Sequence, residues 1–329
     1  MVVPASGNWT WTVPNALSNG TNQLVVKSTD LAGNATSSTP WVILVDTTPP
    51  NAPSVTTVYD GTEPAVGNIT NGGYTNETKP LFSGTAEANS VLTIMMNGQE
   101  VTKITVGADG KWTWKPDTAL VDGKYDFTFK ATDAAGNTSS NSSTFTMNVD
   151  TVAPTKPLIT SIYDSTSPVT GEVPLDGYTN DPRARLTITG EANATVIIYD
   201  NGVQVGTVTL NSSGTATWTP SSNIPEGKHT YTVKQIDRAG LESEVSDPWA
   251  ITVILNPPAA PSITQVLDNK EMFIGPVENG GLTNDMRPIV SGTGVPGTTI
   301  NLYSSYSDRF LGSAVVDATV PHQCLGSYQ

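Results

Sequence analysis

The stretch ATDAAGN at residues 131–137 has a near copy, STDLAGN, at 28–34 and a worn third copy, QIDRAGL, at 235–241. Asp30 and Asp133 are 103 residues apart, and Asp133 and Asp237 are 104 apart. A period of that size exceeds the roughly 20 to 50 residues of a solenoid unit and describes an array of whole domains.

Other landmarks keep the same step. VDTTPPNAP at 45–53 returns as VDTVAPTKP at 149–157 and VILNPPAAP at 253–261, and GYTNETKP at 73–80 returns as GYTNDPRA at 177–184 and GLTNDMRP at 281–288. Trp114 of GKWTWKP matches Trp218 of GTATWTP and Trp11 of GNWTWTV. The Pro-rich strings have the composition of linkers, and Pro is excluded from central strands. They place the C-terminal part of a first domain at 1–45, complete domains at 46–149 and 150–253, and an incomplete one at 254–329. In the last, the Trp strand falls due near residue 322, but the chain reads VPHQCLGSYQ, a tail unlike anything upstream.

Within a period, short alternating runs such as SVTTVYD, SVLTIMMNG and YDFTFKATD are separated by NG at 97–98, ADG at 108–110 and DG at 122–123. Seven such strands in about 104 residues, with no helical stripe, predict an all-β fold of tandem immunoglobulin-like β-sandwich domains in a linear rod. Trp114 and Trp218 are expected in the cores. Trp112 is expected on the opposite, outer face of its strand.

Composition excludes several functions. The 329 residues carry 16 Lys plus Arg against 30 Asp plus Glu, a formal charge of −14, which argues against nucleic acid as a partner. No run reaches the roughly 18 apolar residues of a membrane span. No signal peptide is visible, and the repeat arithmetic makes the first residues the middle of a domain, so the chain reads as a piece of something longer. One Cys rules out an internal disulfide framework. Two His, with no nucleophile elbow and no Gly-rich phosphate loop, give no catalytic constellation.

The acids carry the functional signal. In a seven-stranded sandwich, the TDxAGN turn, the AEAN turn at 86–89 and the entering linker share one pole, so Asp46, Glu87 and Asp133 are expected to converge. One period later the set is Asp150, Glu191 and Asp237. Carboxylates brought together repel unless a cation lies between them, and oxygen-only ligands suit Ca2+. The alternative is turn chemistry alone, in which the Asp caps its own loop and Gly136 adopts a left-handed conformation. At the opposite pole, Asp60, Glu63 and Glu77, and in the next repeat Asp164, Glu172 and Asp181, either add ligands to the junction, form a weaker site, or are solvated loops. At the third linker the ligand positions become Ile254 and Val295, which predicts an ion-independent joint, packed or hinged.

The VDTxxP linker, GYTN loop, GxWTW strand and ATDxAGN turn resemble the bacterial Ig-like repeats of giant non-fimbrial adhesins exported by type I secretion. That resemblance implies a secreted or cell-surface extender, stiffened by calcium at domain junctions. Its partners would be neighbouring repeats and, through other parts of the protein, a host surface, a glycan or a biofilm. The competing readings are a glycan- or receptor-binding module, and a spacer of a secreted polysaccharide-degrading enzyme.

Overall fold

A computed structural model describes residues 7–272 and 274–317. Every regular element among them is a strand. The chain divides into two compact units: one runs to Gly177 and takes in Arg183–Asn223 and Lys228–Ile251, the other holds Tyr178–Pro182, Ile224–Gly227 and the chain from Thr252.

The first strands are β1 (Gly20–Leu24), β2 (Lys27–Thr29), β3 (Ala35–Ser37) and β4 (Trp41–Val45). β1 pairs β4 and β2 pairs β3, both antiparallel. Trp9 and Trp11 lie in no strand and are exposed.

The next repeat contains β5 (Ser54–Asp60), β6 (Gly67–Asn68), β7 (Gly73–Thr75), β8 (Leu81–Thr85), β9 (Val91–Met96), β10 (Gln99–Thr105), β11 (Lys111–Trp114), β12 (Gly123–Thr132) and β13 (Phe145–Val149). They form a five-stranded sheet in the order β10-β9-β12-β13-β7 and a four-stranded sheet in the order β11-β8-β5-β6. The β9–β10 hairpin closes through Asn97 and Gly98, both at positive φ (51° and 79°), the backbone that a two-residue NG turn supplies. On β12 the alternation buries Tyr125, Phe127, Phe129 and Ala131 on one face. Phe82 of β8 meets Phe127 with ring centroids 4.6 Å apart and Trp114 at 5.5 Å, so the core is a cluster of aromatic rings.

Trp112 corrects the expectation drawn for it. It is 3% exposed and packs on Phe129 with centroids 4.8 Å apart. Residues i and i+2 of a strand share a face, so Trp112 and Trp114 both point inward. Gly84, its cross-strand partner, makes the space: a Cβ there would lie 2.3 Å from the Trp112 ring.

The following repeat repeats the plan with β14 (Leu158–Asp164), β15 (Gly171–Glu172), β16 (Gly177–Thr179), β17 (Arg185–Thr189), β18 (Thr195–Asp200), β19 (Val203–Thr209), β20 (Thr215–Trp218), β21 (Gly227–Ile236) and β22 (Trp249–Val253). Its sheets run β15-β14-β17-β20 and β16-β22-β21-β18-β19. Its core is more aliphatic, with Ile162, Leu186, Ile188, Val196, Ile198 and Val233 buried. Last come β23 (Ser262–Asp268), β24 (Gly275–Pro276), β25 (Ile289–Thr293), β26 (Thr299–Ser304) and β27 (Arg309–Val315). The atypical tail expected from 320 lies outside the described residues. The fold is all-β, a tandem array of Ig-like repeats.

Candidate functional site

The repeated turn is built the same way each time up to its fifth residue. Asp30 Oδ1 accepts from the Ala32 and Asn34 amides, and its Oδ2 accepts from Asn34 Nδ2 at 2.9 Å. Asp133 Oδ1 accepts from the Asn137 amide and its Oδ2 from Asn137 Nδ2, both at 2.8 Å, while Gly136 takes the left-handed backbone (φ 94°). These bonds, the Asn side chain first, hold both carboxyls below their ordinary values. In the third copy Asp237 Oδ1 is capped by the Ala239 and Leu241 amides at 2.8 and 2.9 Å. The Leu241 side chain has no donor to offer, and Asp237 Oδ2 is buried with no hydrogen-bond partner.

That orphaned oxygen lies in a crowded joint. Arg238 stacks its guanidinium 3.9 Å from the centroid of the Tyr74 ring, and a Cβ at Gly240 would lie 2.7 Å from Ala65 Cβ. The contact covers the turn: Asp237 is 7% and Ala239 1% exposed. Asp150 in the linker donates its amide to the Thr75 carbonyl at 2.9 Å. Beside Thr75, Asn76 Nδ2 donates to the Glu63 carbonyl at 2.7 Å, but its Oδ1 is buried without a partner. The two loops that the Arg238–Tyr74 contact joins therefore each present a buried, unsatisfied oxygen. Burial raises the Asp237 carboxyl, with Asp150 adding to the effect. Glu191 is raised by loss of water and then by the charges of Asp237 and Asp150. Asp150, Glu191 and Asp237 thus share one electrostatic neighbourhood.

The earlier set is organised differently. Asn137 Nδ2, besides capping Asp133, donates to the Asp46 carbonyl at 3.1 Å, so linker and turn are joined by a protein amide. Glu87 is exposed. Among the described residues no group of three or more His, Cys, Asp or Glu side chains could hold a metal ion as placed.

At the GYTN end of each repeat, Asp60, Glu77 and Asp164 have carboxylate oxygens already hydrogen-bonded. Asp60 Oδ1 accepts from the Thr62 amide at 2.8 Å and its Oδ2 from Thr75 Oγ1 at 2.5 Å. Glu77 accepts from Thr62 Oγ1 and the Lys79 amide. Asp164 accepts from the Thr166 amide at 2.7 Å, and the Asp181 amide donates to Thr179 Oγ1 at 3.0 Å. Glu172 pairs with Tyr163 across the β14–β15 ladder. In the last repeat Asp268 accepts from the Lys270 amide and from Thr283 Oγ1. Asp60 and its counterparts serve as a hydrogen-bond knot that anchors the GYTN loop.

One linker device has no counterpart in the sequence reading. Asn19 Oδ1 accepts from the amide and hydroxyl of Thr47 at 3.0 and 2.7 Å, and Asp122 Oδ1 does the same for Thr151 at 3.0 and 2.8 Å. Glu226 takes the Leu255 and Asn256 amides on Oε1 at 2.5 and 2.8 Å, which holds its carboxyl below the ordinary value. Each residue precedes the Gly that opens a strand. Ile254 and Val295, where a joint either packed or hinged is expected, are 47% and 36% exposed, which speaks against the packed alternative.

Comparison with known proteins agrees with this architecture. The family model for the bacterial Ig-like domain matches residues 1–47, 55–151 and 158–253. No curated protein matches the chain. Similar solved structures include a tetra-tandem repeat from the extending region of a large adhesion protein, at 22% identity, TM-score 0.33, over 92% of this chain and 72% of that one. Another is that of the fibronectin(III)-like modules of Clostridium thermocellum CbhA, at 18% identity, TM-score 0.33, over 61% of this chain and 93% of that one. A biofilm-associated protein BSP domain matches at 20% identity, TM-score 0.23, over 63% of this chain and 30% of that one. With its model matched three times in the register of the repeated turn, the chain belongs to the bacterial Ig-like domain family.

Proposed function

We propose that this chain is an extender segment of a secreted or surface-anchored bacterial adhesin, in which the repeats are a scaffold and one junction is closed by calcium. The observation that carries the ion is the pair of buried, partnerless oxygens, Asp237 Oδ2 and Asn76 Oδ1, on two loops joined by the Arg238–Tyr74 contact. Asp150 and Glu191 bring further negative charge to the same neighbourhood. Calcium takes roughly six to eight oxygens from carboxylates, carbonyls, amides and water, which suits a mixed set better than a set of carboxylates alone. Asp237, Asp150 and Asn76 would hold it, with Glu191 swinging in from the surface. When bound, the ion supplies the positive charge that three acids lack. The set around Asp46, Glu87 and Asp133 fits an ion less well, because Asn137 already bridges the turn and the linker.

The test is calcium titration of the whole chain by calorimetry, paired with small-angle scattering in calcium and in chelator. One strong site is expected, lost in Asp237→Asn, and the scattering should broaden in chelator while circular dichroism stays that of folded sandwiches. Identical scattering curves in the two buffers would remove the stiffening role.

A further inference from the structure

We infer that the repeat at 54–149 carries a binding groove for an acidic saccharide on the outer face of its four-stranded sheet, one that needs no ion at the junction. The groove has a volume of about 460 Å³ and is lined by Tyr59, Leu81 and Trp114, with Lys79, Lys115 and Glu77 at its rim. That is within the roughly 300 to 1,000 Å³ of small-ligand sites. Tyr59 and Leu81 are cross-strand partners on β5 and β8, both facing outward, 42% and 41% exposed. Trp114 pairs with Phe82, so Lys115 continues the Tyr59–Leu81 row onto the next strand. The result is an aromatic and aliphatic floor that ends in an ammonium group.

The rim charges differ in their freedom. Glu77 is committed on both oxygens, to Thr62 Oγ1 at 2.9 Å and the Lys79 amide at 2.7 Å. Lys79 Nζ ties its strand to the Asp117 carbonyl. Lys115 is exposed and makes no ion pair among the described residues. In a chain with a net charge of −14, an anion is repelled except where cations outnumber acids, and here Lys79 and Lys115 stand against the single carboxylate of Glu77. An apolar ring face beside a free ammonium is complementary to a pyranose carrying a carboxylate: its C–H face lies on Tyr59 and its carboxylate meets Lys115.

The next repeat shows which residues make the groove. There Arg183 Nε donates to the Pro220 carbonyl at 2.9 Å, repeating the tie made by Lys79, so that tie belongs to the fold. Arg185 replaces Leu81 and lies 5.4 Å from the centroid of the Tyr163 ring, covering the face that Tyr59 leaves open. Thr219 stands where Lys115 does. Leu81 and Lys115 are therefore the positions that open and charge the groove.

The experiment titrates the whole chain, in chelator, with a galacturonate tetramer and with cellotetraose as the neutral control, by calorimetry and saturation-transfer NMR. The acidic tetramer is expected to bind and the neutral one not. Tyr59→Ala and Lys115→Thr, which remove the stacking face and the ammonium, should each weaken binding about tenfold or more, as loss of the stacking face or of a charge-assisted contact implies. Thermal unfolding should be unchanged in both, since both side chains are on the surface. No binding of the acidic tetramer at millimolar concentration, equal binding of cellotetraose, or full binding in both variants overturns the assignment.

Discussion

Asn137 Nδ2 bonds Asp133 Oδ2 at 2.8 Å, and 104 residues later Leu241 leaves Asp237 Oδ2 buried with no donor. One side chain separates a turn that is complete from one that needs an outside partner. Leu241→Asn should restore the bond and raise stability in chelator by about 1 kcal/mol, the usual net worth of a hydrogen bond to a buried acceptor. Calorimetry should show weaker calcium binding in the same variant. A variant as unstable as the parent in chelator would mean that Asp237 Oδ2 already has water.

The same contrast sets opposite pH dependences. Asp237 and Glu191 are raised in the folded chain, so the stability linked to them is fully present below their unfolded-state values and is lost as pH rises through the folded ones. Asp133 is lowered, so its contribution is present above its unfolded-state value and is lost as pH falls through the folded one. In chelator, hydrogen exchange corrected for intrinsic rates should show peptides over 235–243 gaining protection from pH 7 toward about pH 4. Peptides over 131–139 should gain none. Calcium should flatten the first response; parallel behaviour of the two turns would contradict it.

The linker clamp offers a separate handle on the joints. Asp122→Ala removes the acceptor of the Thr151 amide and hydroxyl, a loss of about 1 to 2 kcal/mol confined to the linker. Limited proteolysis should cut faster near 150–156, with the unfolding temperature of the sandwiches unmoved. Protection equal to that of the parent would show that the Arg238–Tyr74 contact holds the linker unaided.

Trp112→Ala should cost about 3 to 5 kcal/mol, the range for removing a large buried ring, and unfold its repeat first. Trp11→Ala should be within about 0.5 kcal/mol of the parent, since that ring is exposed. Chemical denaturation followed by tryptophan fluorescence separates the two.

The sandwich was legible because alternation and turn residues are local: β12 buries every second residue from Tyr125 to Ala131, and Asn97-Gly98 turns where NG should. Trp112 was misplaced although its parity with Trp114 was in plain view. β6 and β7 were missed because two or three residues containing Gly carry no alternation. Asp237 could be placed near Asp150 from register, and Leu241 stands in the sequence where Asn137 does, yet the burial of Asp237 Oδ2 away from any other donor is set only by folding. Asn76 had a signal, since YTN and LTN recur at each period. Asn19, Asp122 and Glu226 share a role but not a residue type, and as the first residues of NG, DG and EG pairs they read as turns.

β13 runs parallel to β7, with Met147 opposite Gly73 and Val149 opposite Thr75, and the ladder continues into the linker through the Asp150 amide on the Thr75 carbonyl. Tension applied through that linker pulls along β13, across the direction of these bonds. Parallel strands loaded lengthwise share the force among all their rungs at once, whereas a hairpin peeled from its end gives way one rung at a time. The short strand overlooked in the sequence is thus the place where the repeat meets a lengthwise pull on its linker in shear.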